Sequence, residues 1–516
     1  MGFDHIIVGA GSAGCVLAAR LSEDPARTVL LLEAGPDWPD PALLPADLAN
    51  ALTVSVADHD WGYDAEVVPG RRLPYARGKV TGGCSAVNGA IALRGVPGDY
   101  DEWAALGNDE WGWRRVLPYL RGIEDDQDAD GPSHARGGPV PIVRWTEREL
   151  VPFQRAYLEA CLDQGFRYVS DHNDPSSTGV GPIPMNRRGG RRVSAADAYL
   201  AAARTRANLT IRPGCLVHRV LFDGVRAIGV EVESRGRLER IHGDQISLSA
   251  GAINTPALLL RSGVGAPDPL RALDIDVVLD APNVGANLIE HQQIAVGLVP
   301  KPGVTDPNDP DVQVLVRYTA PGTARFNNMQ LYFVSRYVPA THRPISVMSV
   351  LQKPDCRGQV SLTTADPHAQ PSVVLNSYGT AEDQRIALDG LRLCWDIANS
   401  APVRALSKGT VDTLTARQVD DDDALLDYLR EHSATIWHPV GTCRMGPSHD
   451  PFAVVDQYLR VHGTENLTVV DASVMPTHVS ANPNLTCYVI GERAAAWLAG
   501  DRMARTVPAG RETVGR

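Results

Sequence analysis

The stretch Asp4-His5-Ile6-Ile7-Val8-Gly9-Ala10-Gly11-Ser12-Ala13-Gly14 opens the chain with a β-branched run and three closely spaced glycines. Cys15–Leu21 (CVLAARL) continues with helical character, and Thr28–Leu32 (TVLLL) reads as a second buried strand that ends in Glu33. Strand, glycine turn, helix, strand and acid in that order form the dinucleotide-binding βαβ unit. Each part has a physical task. Gly9 permits the tight turn, Gly11 lets backbone approach a pyrophosphate, and Gly14 lets helix and strand pack closely. The helix N-terminus offers free N–H groups and a positive dipole end to the phosphates. Glu33 lies 19 residues beyond Gly14, where its carboxylate accepts from ribose hydroxyls and favours NAD or FAD over NADP. On these residues NAD and FAD stand level.

Outward from this unit, 516 residues suggest two or three packing units at about 150 residues each. With 44% apolar and 21% charged residues the balance is that of an ordinary globular protein. The formal charge of −12 is spread along the chain, which argues against nucleic acid or an anionic membrane as partner, since both need a basic face. The opening MGFDHIIVGAG carries no secretory pattern, and Ile6 stands where a myristoylation motif has Ser or Thr. The best apolar run, SLSAGAINTPALLL, is interrupted by Asn254 and Pro256 and falls short of a membrane span. The eight cysteines show no Cys-x-x-Cys pair, which fits neither a disulfide framework nor a zinc site, so no metal is expected. The expected compartment is the cytoplasm.

Three further segments bear on the cofactor. The first is Arg77-Gly78-Lys79-Val80-Thr81-Gly82-Gly83-Cys84-Ser85-Ala86-Val87-Asn88-Gly89, a glycine-rich loop that supplies N–H donors and close backbone approach. The second, Gly251–Gly265 (GAINTPALLLRSGVG), follows the strand-like run Gln245–Ser249 as another strand–turn–helix. The third comprises Trp437-His438-Pro439-Val440-Gly441-Thr442, Val469-Val470-Asp471-Ala472-Ser473-Val474-Met475-Pro476 and Ala481-Asn482-Pro483-Asn484. Together these resemble the glucose–methanol–choline (GMC) family of FAD-dependent oxidoreductases, in the family's order and over essentially the whole chain, to Gly491-Glu492-Arg493-Ala494. Thr81 departs from the usual aliphatic residue, with only local repacking expected.

The resemblance implies an α/β fold in which a Rossmann-like FAD-binding domain interleaves with a substrate domain built on a mostly antiparallel sheet with helices. The FAD region would take 1–145, 205–290 and 453–516, and the substrate region 146–204 and 291–452. Residues 209–212, 216–221, 227–232 and 245–249 read as short strands of an antiparallel meander on the adenine side. Residues 125–138 and 301–311 read as loops, the second a solvated linker rather than a lid.

Oxidising an alcohol removes a proton from oxygen and a hydride from carbon, so a flavin enzyme needs a base and a donor for the developing alkoxide. Histidine suits the first task because it is largely neutral at pH 7. By resemblance the catalytic histidine falls on His438, whose backbone Pro439 restricts to extended conformations. The second active-site position falls on Asn482, whose amide donates without competing for the proton. The resemblance also gives Gly9, Gly11, Gly14 and Glu33 to the ADP half of FAD, and Gly83 and Asn88 to the pyrophosphate and isoalloxazine. It gives Val217 to adenine, and Asp471 with Ala472 to the ribitol and phosphates, Asp471 having the alternative of capping the next turn. Val87 stands where some members carry the histidine that bonds FAD covalently, so non-covalent FAD is expected. His291, in Asn287-Leu288-Ile289-Glu290-His291, is expected to brace a domain junction, and nothing assigns a role to His432 or His478.

The expected function is oxidation of a small-molecule alcohol to an aldehyde or ketone, with reduced flavin reoxidised by O₂ or a quinone-like acceptor. The alternative is an FAD-containing lyase of the hydroxynitrile-lyase type. The 6% aromatic content disfavours a ring-lined cage for a quaternary ammonium.

Overall fold

The computed structural model describes residues 2–337, 344–411 and 414–506, with side chains to residue 500. Residues 507–516, assigned above to the FAD region, and 338–343 and 412–413, assigned to the substrate region, lie outside the described residues.

Two seven-stranded sheets carry the molecule. In the first, Phe3–Val8 lies between Val29–Leu32 and the end of Arg237–Leu248, parallel to both. Ile6, Ile7, Leu30 and Leu31 are wholly buried, as strands covered on both faces must be. Leu467–Val469 adds a further parallel strand beside Ile246–Leu248. The helix Ser12–Leu21 follows the glycine turn and is buried along nearly its whole length, from Ala13 to Ala19. A Cβ on Gly14 would stand 2.0 Å from the Gly9 carbonyl oxygen, so only glycine allows this helix to start so close to its strand.

The meander expected from the sequence to begin at residue 209 begins at Cys215 instead. The antiparallel meander consists of Cys215–Asp223, Arg226–Ser234 and Arg237–Leu248, whereas Leu209–Arg212 runs parallel beside Val29–Leu32 at the sheet's other edge. Pro213 and Gly214 separate the two, with Gly214 in the left-handed region at φ 65°; this turn leads straight into the meander, with Gly214 and Cys215 N–H donating to the Gly35 and Glu33 carbonyls.

The second sheet orders Ser407–Thr410, Gln292–Pro300, Ile345–Leu351, Met329–Val334, Val314–Tyr318 and Gly179–Pro182, with Ala434–Thr435 also on Gln292–Gln293; all these pairings are antiparallel. Strand side chains alternate between faces, and this sheet uses the alternation fully. Ile294, Val296, Leu298, Leu331, Phe333, Ile345 and Val347 point into a core with helices Pro152–Asp163, Ala381–Ala398 and Asp422–His432, through Phe153, Tyr157, Leu391 and Leu429. Their neighbours Gln293, Ala295, Gly297, Tyr332, Val334, Ser346 and Met348 face the opposite way and line a cavity. Burying each large apolar side chain stabilises the sheet's helical side by roughly 1.5–3 kcal/mol, and that fixes which residues are left for the cavity.

The segment 125–138 is mostly irregular, as expected, yet its ends are anchored by charge. His134 Nε2 is 2.9 Å from Asp171 Oδ2, its Nδ1 is 3.3 Å from Asp126, and Arg144 pairs with both aspartates while Arg94 pairs with Glu124. Residues 301–311 form turns joining the second sheet's strands.

Candidate active site

A single cavity of about 800 Å³ runs between the first sheet's glycine turn and the exposed face of the second sheet. Its size lies in the range of sites that enclose a cofactor with its substrate. Gly9, Gly11, Glu33, Gly83, Asn88, Val217, Asp471, Ala472, His438 and Asn482 all line it. Gly14 does not; it acts one layer behind, in the strand–helix contact described above.

The glycine-rich segment folds over the first turn. Gly82 N–H donates to the Ala10 carbonyl at 2.7 Å, and the short helix Cys84–Val87 begins just after. Gly83 has φ 51°, and a Cβ there would lie 2.7 Å from Gly11 Cα; two backbones meet where a side chain would block them. Glu33 accepts from Ala10 N–H at 2.9 Å and Gly35 N–H at 2.8 Å, while burial lifts its carboxyl to about 7. Asp471 is held by four donors: Gly251 N–H and Thr255 Oγ1 on one oxygen, and Ser473 N–H and Oγ on the other. It thus caps its own turn and ties it to the start of helix Gly251–Arg261, and burial raises its carboxyl.

At the reactive end, Trp437 takes φ 63°, a costly conformation for a bulky residue that persists only where its surroundings impose it. Thr435 Oγ1 accepts its N–H at 3.0 Å, and the Arg77 guanidinium holds its carbonyl. His438 N–H then donates to Glu290 Oε1 at 2.7 Å, and the other Glu290 oxygen takes the Tyr75 hydroxyl.

The imidazoles settle each other's protonation. His291 Nε2 lies 3.1 Å from the Val479 carbonyl, which only accepts, so that nitrogen carries the hydrogen. Burial, with His478 and His438 alongside, keeps His291 neutral; its Nδ1 is therefore a lone pair. His438 Nδ1 is 3.0 Å away and must donate to it. Burial, then His478 and Arg77, likewise hold His438 well below the ordinary imidazole value. Its Nε2 is left bare and faces the Asn482 Nδ2 at 3.4 Å. This assigns the amide's orientation: Nδ2 toward His438, and Oδ1 accepting from the Tyr332 hydroxyl at 3.2 Å. His478 stacks on His291 with centroids 3.5 Å apart, its Nε2 2.8 Å from the His438 carbonyl and its Nδ1 3.0 Å from that of Val479; burial lowers it to about 3.

His291 and His478 are the residues that the sequence reading left outside the site. His291 joins His438 and the Val479 carbonyl through its two ring nitrogens. Its neighbour in sequence, Glu290, was the available signal, since one dipeptide supplies partners to both the backbone and the ring of His438. His432 stacks on Tyr428 at the cavity wall, centroids 4.0 Å apart.

Two family models described as GMC oxidoreductase match residues 3–293 and 354–491. The chain belongs to the GMC oxidoreductase family. Among its relatives, an uncharacterised GMC-type oxidoreductase of Rhodococcus erythropolis is 34% identical, over 96% of this chain and 98% of that one. An oxygen-dependent choline dehydrogenase of Klebsiella pneumoniae is 36% identical, over 97% and 96%. In three dimensions the chain is similar to pyridoxine 4-oxidase from Mesorbium loti, with TM-score 0.88 and 32% identity, over 97% of this chain and 99% of that one.

This GMC oxidoreductase is a flavoprotein whose cofactor is FAD, acting with a small-molecule substrate and an electron acceptor. The cavity fits the group. Beyond the Gly11–Gly83 approach, two polar atoms on lining residues, Ser249 Oγ and Asn484 Nδ2, are buried with no protein partner. Such groups are normally satisfied, and a phosphate- and hydroxyl-rich ligand supplies what they lack. Among the described residues no helix is long and apolar enough to cross a membrane.

Proposed function

We propose that this chain oxidises an alcohol to the aldehyde or ketone, with His438 as general base and Asn482 as donor to the substrate oxygen. Bound FAD supplies the hydride acceptor at its N5 atom, and passes the two electrons to O₂ or a quinone-like carrier. His438 Nε2 takes the hydroxyl proton as the C–H hydride leaves, and Asn482 Nδ2 donates to the oxygen as negative charge grows there. One such aimed donor can lower the barrier by about 3–4 kcal/mol.

The observation that carries this reading is the bare, cavity-facing Nε2 of His438, fixed by the hydrogen passed from its Nδ1 to His291. A lyase needs no hydride acceptor, and no feature of the pocket favours it over oxidation. In the same reading Gly9, Gly11, Glu33, Gly83, Asn88, Val217 and Ala472 hold FAD, Gly14 and Asp471 keep their shape, and segments 1–145, 205–290 and 453–516 form the cofactor's side. FAD is held non-covalently, because the cavity wall at Val87 is hydrocarbon.

The test is His438→Ala under nitrogen with a panel of alcohols. The variant should keep its yellow cofactor and reduce it at least about 100-fold more slowly; near-normal bleaching would remove His438 from the role. Product formed by the wild type without bleaching would instead point to the lyase.

A further inference from the structure

We propose that His218, Glu233 and His368 form a binding site for a divalent transition metal of the zinc type, clasping the loop around His368 to the sheet beside the FAD cavity. His218 Nε2 lies 3.1 Å and His368 Nε2 2.9 Å from the same oxygen, Glu233 Oε2. The three donor atoms all lie within 4.8 Å of one another. The rings stand at 81° with centroids 5.7 Å apart, so their Nε2 atoms converge without stacking.

The chemistry of the set is specific. Two imidazoles and one carboxylate are a recognised zinc ligand combination that leaves a fourth position for water. With zinc–nitrogen and zinc–oxygen bonds of about 2.0–2.2 Å, tetrahedral ligands stand roughly 3.3 Å apart. The two nitrogen–oxygen separations therefore need to open by only a few tenths of an ångström, with the two nitrogens already within 4.8 Å of each other. Harder ions such as magnesium or calcium prefer all-oxygen shells and are disfavoured by two nitrogens.

The local fold presents these groups on purpose-shaped backbone. His218 occupies the point where the register between Cys215–Asp223 and Arg226–Ser234 slips, between Val217 and Arg219. A bulge of this kind redirects a side chain, here toward Glu233 on the adjoining strand. His368 comes from a distant loop whose turn is fixed by Asp366 Oδ1, which accepts His368 N–H at 2.9 Å. His218 and Glu233 are partly covered, with side-chain exposures of 18% and 28%, while His368 is 58% exposed. Two ligands are thus preset and the third closes over them from solvent.

The position gives the site a consequence. Val217, next to His218, lines the cavity, and so do Pro367, His368, Ala369 and Gln370. A metal joining His218 and Glu233 to His368 holds that loop against the cavity wall, so metal and FAD should retain each other by reciprocal coupling.

The experiment uses tag-free, FAD-loaded full chain stripped with a chelator and titrated with Zn²⁺ by calorimetry and with Co²⁺ by visible absorption. The expected result is one site per chain, with affinity falling at least tenfold in His368→Ala and in Glu233→Gln, and unchanged in His242→Ala, an exposed imidazole on the same sheet. His368 is an exposed loop residue that also lines the cavity, so FAD release from each protein is compared with and without Zn²⁺. Absence of one-to-one binding, or wild-type affinity in either ligand variant, would overturn the site. The second readout is FAD release, followed as flavin fluorescence on dilution. Saturating Zn²⁺ should slow it about fivefold or more in wild type and not in His368→Ala; equal release would overturn the clasp.

Discussion

The Nδ1 atoms of His438 and His291 face each other at 3.0 Å, and only one of them carries a hydrogen. Because His291 spends its own N–H on the Val479 carbonyl, the shared hydrogen belongs to His438. Removing the acceptor with His291→Phe should slow flavin reduction about tenfold, the cost of one buried hydrogen bond. His291→Gln, whose amide oxygen can accept in place of the ring nitrogen, should recover part of the rate. Stopped-flow reduction of both variants checks this. Equal rates in Phe and Gln variants would reduce His291 to a packing role.

The same burial sets a pH dependence. His438 is held well below 6.5 by desolvation and by His478 and Arg77, so it stays neutral and proton-accepting as acid is added. The rate of flavin reduction should stay level from pH 8 to 6.5 and fall only below that. An anaerobic pH–rate profile measures it, and an acid limb centred at or above 6.5 contradicts the assignment.

Val87 lines the cavity with hydrocarbon alone. Acid or heat precipitation should therefore release all of the flavin into the supernatant as intact FAD. Yellow colour pelleting with the polypeptide would show a covalent bond.

Gly83→Ala tests the cradle. Its φ of 51° and the 2.7 Å approach to Gly11 Cα oppose any Cβ, and strain of about 1–3 kcal/mol corresponds to FAD binding weaker by roughly 5- to 150-fold. The ratio of flavin to protein absorbance reads the occupancy. Full occupancy in this variant would mean that the two glycine segments do not enclose the cofactor.

The buried charges around His134 make stability depend on pH from both sides. Asp126, Asp171 and Glu124 raise the His134 imidazole to about 11. Its contribution is complete below the ordinary 6.5 and is lost as pH climbs through 11. For Asp171, burial opposes ionisation, but His134 and Arg144 outweigh it and bring the carboxyl to about 2; that contribution is present above 3.8 and disappears as pH falls through 2. Thermal melting of His134→Gln against wild type should show a difference that shrinks between pH 6.5 and 11. A difference constant over that window would exclude the charge interaction.

The first glycine unit, the second glycine segment and the string around His438 were all legible from sequence, because each is a local pattern with a local physical cause. Tight turns need glycine, buried parallel strands need unbroken apolar runs, and a proline restricts the residue before it. These patterns led to residues that line one cavity, His438 among them. They misplaced Leu209–Arg212, because a short apolar strand carries no mark of whether its partner runs parallel or antiparallel.

Proximity between distant residues belongs to the tertiary structure alone. The hydrogen that leaves His438 Nε2 bare passes to a ring 147 positions away, and Glu233 meets His368 across 135. Which aromatic side chains reach the pocket is likewise set by the fold, since Trp61, Tyr63, Tyr332, Tyr428 and Trp437 line it from separate elements. Composition averages over the chain, whereas a protonation state, a metal site or a substrate wall depends on a few ångströms. Only the packing of one sheet's face against the other's glycine turn sets those distances.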